Sequence, residues 1–176
     1  FFPAGSNHRY DATSFDCVDP VLGGDEALAH LVRRAAEFGV RVVGDLTLNH
    51  TGDRHDWFMR ARADAASPEA GFYLFGKHPD AYQSFAGVPS LPKLDHRSDE
   101  LRRRLFEGQG SVVARYLREP GLGGRRIDVA TTVGHAVSSS SAQGDARTTC
   151  AQVTTVAARG SLASARQHDT TPALAG

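Results

Sequence analysis

Val40-Arg41-Val42-Val43-Gly44-Asp45-Leu46 is a β-branched run of strand length, and its company decides the fold. It is too apolar for clean alternation, as a strand covered on both faces of a parallel sheet is. Residues 25–38, immediately before it, read as a helix. Leu28, Leu31, Val32 and Ala35 recur at i, i+3, i+4, i+7 spacing, with Arg33, Arg34 and Glu37 elsewhere. Asp25 is placed to cap the start, and Gly39 to supply the left-handed residue that ends it. Helix, short glycine link, buried strand: this is half of a β/α unit.

The same pattern returns downstream. Ser98 is placed as an N-cap, with Asp99 and Glu100 favourable to the helix dipole in the first turn. Leu101, Leu105, Val112, Val113, Tyr116 and Leu117 supply an apolar face, interrupted at Gly108-Gln109-Gly110. Residues 120–124 turn the chain, and Arg126-Ile127-Asp128-Val129-Ala130 reads as a second short buried strand. Strands that carry acids at their C-terminal ends, Asp45 and Asp128, fit a (β/α)8 barrel better than an open sheet. Residues 50–97 differ, being rich in Gly, Pro, Asp and His, with one short helix expected near 56–64. A stretch this long with little regular structure is usually functional.

From Thr131 the character changes. The remainder holds no Glu, Lys, Phe, Tyr, Trp, Ile or Met and is dominated by Ser, Thr, Ala, Gly and Arg. Such a segment cannot bury enough apolar surface to offset its chain entropy. The expectation is that 131–176 stands outside the fold, as an irregular tail or the product of a shifted reading frame in a GC-rich gene. Phe1-Phe2-Pro3-Ala4-Gly5 shows neither a signal peptide nor an initiator Met, so the front reads as cut.

Composition narrows the classes. The 176 residues are 40% hydrophobic and 23% charged, which suits a soluble globular domain with a cytoplasmic default. No run approaches a membrane span. Lys plus Arg and Asp plus Glu each number 20, and no basic stripe suggests nucleic acid. Cys17 and Cys150 form no metal or disulfide pattern. His50, His55, Asp53 and Asp56 cluster, but H-E-x-x-H is absent and no zinc spacing is matched.

An Arg two residues before an Asp on a strand points to the same side. Arg126 therefore supplies a counter-charge to Asp128, as a carboxylate nucleophile requires, although a buried Arg–Asp pair is more often structural. The surrounding words add more. Ser6-Asn7-His8-Arg9-Tyr10-Asp11, Val18-Asp19-Pro20, Asp45-Leu46-Thr47-Leu48-Asn49-His50-Thr51-Gly52 and Gly124-Arg125-Arg126-Ile127-Asp128-Val129-Ala130 occur in that order. Together they resemble the alpha-amylase family, glycoside hydrolase family 13. Ser90-Leu91-Pro92-Lys93-Leu94-Asp95 resembles an extra motif of its neopullulanase, cyclomaltodextrinase and maltodextrin-glucosidase branch.

The resemblance covers residues 1 to about 130. It implies a partial (β/α)8 TIM barrel from the end of the second strand to the fourth, with an excursion after the third. The implied divisions are 1–49 (end of strand two, helix two, strand three), 50–97 (the loop subdomain), 98–130 (helix three, strand four) and the tail 131–176. It also implies roles. Asp128 matches the catalytic nucleophile and Arg126 its support. His50 matches the residue that hydrogen-bonds the sugar being cleaved, and Tyr10 the aromatic stacked on that ring. Asp45 and Asn49 match residues that organise the site, and in some members the counterpart of Asn49 binds calcium; no other cofactor is implied. Trp57, Phe72, Tyr73 and Phe75 are candidates for outer sugar subsites, with local packing the commoner role for any one of them.

Two departures stand out: Arg125 replaces a bulky aromatic, and Asp95 replaces the usual Asn. The implied substrate is an alpha-glucan or maltooligosaccharide, cleaved with retention. That chemistry uses two carboxyl groups about 5–5.5 Å apart. The second is a Glu on a later strand, yet the last Glu here is Glu119; His168-Asp169 only superficially resembles the family's later His-Asp pair. The chain by itself is therefore expected to be inactive. Alternatives are an alpha-glucan transglycosylase, or a non-catalytic carbohydrate-binding remnant of the same fold.

Overall fold

A computed structural model describes residues 1–129; the expected tail, with Ala130, Cys150 and His168-Asp169, lies outside the described residues. The first helix, α1, is Gly24–Glu37. Asp25 does not cap it. Gly23 holds the N-cap position in the left-handed region, and the Asp25 carboxylate instead accepts from the Val18 backbone N–H at 3.0 Å. Asp19 accepts from Val21 and starts the 3-10 turn Pro20–Leu22 that leads in. Gly39, with φ of +69°, ends α1 as expected. The anticipated apolar face is only half engaged: Leu28 and Val32 pack on the core, but Leu31 is 53% exposed.

Strand β1 is Val43–Thr47, starting later than the apolar run suggested. Val43 is exposed, whereas 46–50 are all buried, so burial deepens toward the C-terminal end. Two-sided cover holds for that end only. β1 pairs in parallel with β4, Gly124–Asp128, Val43 opposite Gly124 and Thr47 opposite Asp128. β4 likewise sits two residues earlier than expected, and Val129 already leaves the extended region with φ of +46°.

The 50–97 stretch is more regular than its composition suggested. It holds α2 (Asp56–Ala63), a 3-10 turn (Pro68–Phe72), the antiparallel pair β2 (Phe75–Lys77) and β3 (Ala81–Tyr82), and a further 3-10 turn (Phe85–Gly87). Isolated bridges His50–Lys93, Tyr73–Leu94 and Ser84–Pro92 fold its ends back on each other. Phe58, Ala61, Phe72, Tyr73 and Leu94 give it an apolar centre, with Phe58 edge-on to Tyr73 and Tyr82 at 4.8 Å. Elements of two to eight residues are too short to leave a periodic signature, which is why the composition suggested a loop.

This layer is fastened to the next helix by charge. Glu69 is 5% exposed and accepts from Arg104 at 2.8 Å and Arg60 at 3.4 Å, while Arg104 lies over the Phe72 ring at 4.9 Å. The expected break comes where Gly108 adopts φ of +77°, separating α3 (Asp99–Leu105) from α4 (Val112–Arg118). Ser98 and Ser111 cap the two pieces through their hydroxyls. No described helix is long and apolar enough to cross a membrane.

Candidate active site

Facing residues of a parallel pair project to the same side, so the β1–β4 register presents Asp45 and Arg126 together, with Thr47 and Asp128 one step nearer the C-terminal edge. Arg126 is the hub. One guanidinium nitrogen donates to Asp45 Oδ2, and the other donates to Asp128 Oδ1 at 3.0 Å. The Tyr10 hydroxyl donates to Asp45 Oδ2 at 3.2 Å. The hydrogen bond and charge of Asp45 hold the Arg126 guanidinium above its ordinary pKa. These side chains are well exposed, 52% for Arg126 and 36% for Asp45. Exposed pairs add little to stability, so their value lies in aiming the carboxylates.

Tyr10 arrives from a separate loop. Arg9 turns the chain through φ of +65°, and Asp11 ties back to the Ser6 hydroxyl at 2.6 Å. The loop is pinned where Gly52 passes: its N–H donates to the Ala12 carbonyl at 2.8 Å, and a Cβ on Gly52 would meet the Asp11 carbonyl oxygen at 2.5 Å. Only glycine allows that approach.

His50 closes the strand's extension and is 1% exposed. The Asn49 amide donates to its Nδ1 at 3.2 Å, and the Phe85 ring lies flat on it at 5.0 Å and 15°. Burial pushes the His50 pKa below its ordinary value. The Tyr10 backbone carbonyl favours the protonated ring, but no acceptor meets hydrogen-bond geometry at Nε2. Asp45 Oδ1 is likewise buried and unpartnered.

The sequence-derived residues Tyr10, Asp45, Arg126 and Asp128 thus form one hydrogen-bonded group. Asn49 and His50 stand on the extension of the same strand. The aromatic candidates are not brought there: Phe72 and Tyr73 are buried in the excursion's core, and Trp57 and Phe75 pack against it. Asp95 is engaged bidentately by Arg97, at 2.8 and 2.7 Å. The Asn49 amide nitrogen is engaged by His50, and among the described residues no group of three or more His, Cys, Asp or Glu could hold a metal ion. A cavity of about 400 Å³ lined by Asp25, Glu26, Arg115, Tyr116 and Arg118 lies between α1 and α4, away from this group. Phe85 was not anticipated: it sits in an aperiodic turn, and only its fold-back onto His50 singles it out.

Known proteins agree on where such a chain belongs. The family model "Alpha amylase, catalytic domain" matches residues 1–158, running beyond Ala130, where the motif resemblance ends. A cyclomaltodextrinase of Geobacillus thermopakistaniensis is 34% identical over 141 residues, 76% of this chain and 23% of that protein. Neopullulanase 2 of Thermoactinomyces vulgaris is 31% identical over 143 residues, 77% of this chain and 24% of that one. Among solved structures, the cyclic alpha-maltosyl-(1→6)-maltose hydrolase of Arthrobacter globiformis, in complex with maltose, superposes with a TM-score of 0.69 at 30% identity. That match covers 77% of this chain and 31% of the hydrolase. The chain spans about a quarter of the length of the curated relatives it matches. With a paired acid–arginine–acid group at the end of a parallel strand pair and a catalytic-domain match over most of its length, the chain belongs to the alpha-amylase family of glycosidases.

Proposed function

We propose that this chain carries the nucleophile side of a retaining alpha-glucan hydrolase site, acting on alpha-glucosidic bonds of maltodextrins. The observation that carries the reading is the hydrogen-bonded series Tyr10–Asp45–Arg126–Asp128, beside a buried His50 Nε2 and Asp45 Oδ1 that lack partners. A buried polar atom without a partner costs about 1–3 kcal/mol. Sugar hydroxyls supply what both atoms lack.

In the reaction, an Asp128 oxygen attacks the anomeric carbon as the glycosidic C–O bond breaks, giving a glycosyl ester and a leaving-group oxygen that must gain a proton. Water then attacks the same carbon, loses a proton to a base, and frees the Asp128 carboxylate with net retention. Arg126 fixes the attacking carboxylate, Asp45 and His50 hold hydroxyls, and the Tyr10 ring lies against the apolar face of the sugar. The proton donor is a second carboxylic acid. The last Glu of the 176 residues is Glu119, upstream of the nucleophile strand, so the chain alone is expected to leave maltohexaose uncleaved.

The test removes the need for that acid. Fluoride leaves without protonation, so 5-fluoro-alpha-D-glucosyl fluoride can load the nucleophile directly. The expected result is a glucosyl adduct on Asp128, found by peptide mass mapping and absent from Asp128→Asn. A folded chain that acquires no adduct there overturns the assignment.

A further inference from the structure

We propose that Phe85 is a positioning residue that holds the His50 imidazole in one orientation and one tautomer, with Nε2–H offered to a sugar hydroxyl; the sugar-binding part rests on the function proposed above. His50 is fixed by few polar contacts. Asn49 donates to Nδ1, which makes Nδ1 the acceptor and leaves the proton of the neutral ring on Nε2. A His side chain has broad, roughly two-fold freedom about its last torsion. A half-turn would exchange Nδ1 for a carbon, break the Asn49 bond and take Nε2 away from the site.

The flat face of Phe85, 5.0 Å away and inclined by 15°, opposes the tilt that such a rotation requires. Its placement is held from several sides. The Phe85 N–H donates to the Leu91 carbonyl at 2.9 Å, Leu91 N–H donates to Val88 at 3.0 Å, and the Tyr82 hydroxyl donates to Pro89 at 2.9 Å. Ala86 takes the left-handed region with φ of +53°, followed by Gly87 at +75°, and this sharp turn keeps Phe85 folded back. The same segment ends at Lys93, which bridges to the His50 backbone. One loop thus grips His50 at its main chain and covers its ring.

Ring-nitrogen spectra of the full 176-residue chain, with 15N-labelled histidine at neutral pH, test this without any sugar. His50 is assigned by the loss of its signals in His50→Gln. The expected result is a single Nε2–H tautomer for His50, mixed tautomers in Phe85→Ala and recovery in Phe85→Trp. An unchanged His50 spectrum in folded Phe85→Ala overturns the proposal. If Phe85→Ala does not fold, Phe85→Leu, which keeps apolar bulk but no flat face, is read the same way. Maltohexaose titration supplies the second arm. Phe85→Ala and His50→Ala each weaken binding about tenfold, and the double variant is no weaker than His50→Ala alone. Additive losses mean that Phe85 acts through its own contacts, against the proposal. A wild-type chain that ignores maltohexaose yet shows the tautomer change refutes the sugar-site reading and leaves the positioning role standing.

Discussion

Arg126 bridges Asp45 and Asp128, and it does so because β1 and β4 are in register with Asp45 directly opposite Arg126. A shift of one residue between the strands would turn one of the two partners to the other face of the sheet. The bridge is therefore a product of strand pairing rather than of sequence neighbourhood alone.

Arg126→Ala should separate function from stability. Its ion pairs are about half exposed, so they contribute little to folding. The unfolding midpoint should move by only a few degrees, while labelling of Asp128 by the fluoro-sugar falls at least tenfold. Equal loss of both would show that the arginine is mainly structural.

Arg125→Phe should stabilise the fold. Arg125 is 2% exposed, and its Nε and Nη1 have no hydrogen-bond partner. Burial pushes its pKa down to about 10. The rings of Tyr116 at 5.2 Å and Phe1 at 5.7 Å offset part of the cost. Only its Nη2 is engaged, by long bonds to the Val112 and Val113 carbonyls at 3.5 and 3.4 Å, so replacing this buried charge, which has no carboxylate partner, by a ring of similar bulk should add about 1–3 kcal/mol in urea unfolding. A destabilised variant would mean that the aromatic contacts outweigh desolvation.

Acid should weaken the fold through His55. Burial, and secondarily the charge of Arg60, lower its pKa from 6.5 to about 3. Between these values the unfolded chain binds the extra proton, so stability is full above pH 6.5 and falls as pH drops toward 3, by roughly 5 kcal/mol at the limit. His55 Nδ1 also accepts from the Trp57 N–H to start α2. His55→Asn keeps a capping oxygen but does not titrate, and its melting temperature should vary less between pH 6.5 and 4.

Glu69 acts in a lower window. Burial raises its pKa, but the hydrogen bonds and charges of Arg104 and Arg60 prevail and hold it below the ordinary 4.5. Its contribution is present above pH 4.5 and lost as pH falls through the lowered value. Glu69→Gln should cost about 1–2 kcal/mol at pH 7, since the Arg60 side chain is 62% exposed. The variant's thermal melts below pH 4.5 should converge on those of the wild type.

Sequence by itself determined the local facts. The apolar spacing around Leu28 and Val32, the left-handed Gly39, the Ser98 cap and the break at Gly108 each follow from backbone preferences within a few residues. The placing of acids on two strands, and Arg126 on the same side as Asp128, follows from the strand period of two. The motif words supplied the family, because the same residue types recur in order. What only the tertiary structure decided are relations between distant segments. Phe72 and Tyr73 lie in the apolar core with Trp57 packed against it, Leu31 remains exposed, Asp25 serves Val18 instead of its own helix, and Phe85 folds back onto His50. Each depends on which surfaces meet and what water they exclude, and local periodicity carries no record of a partner many residues away.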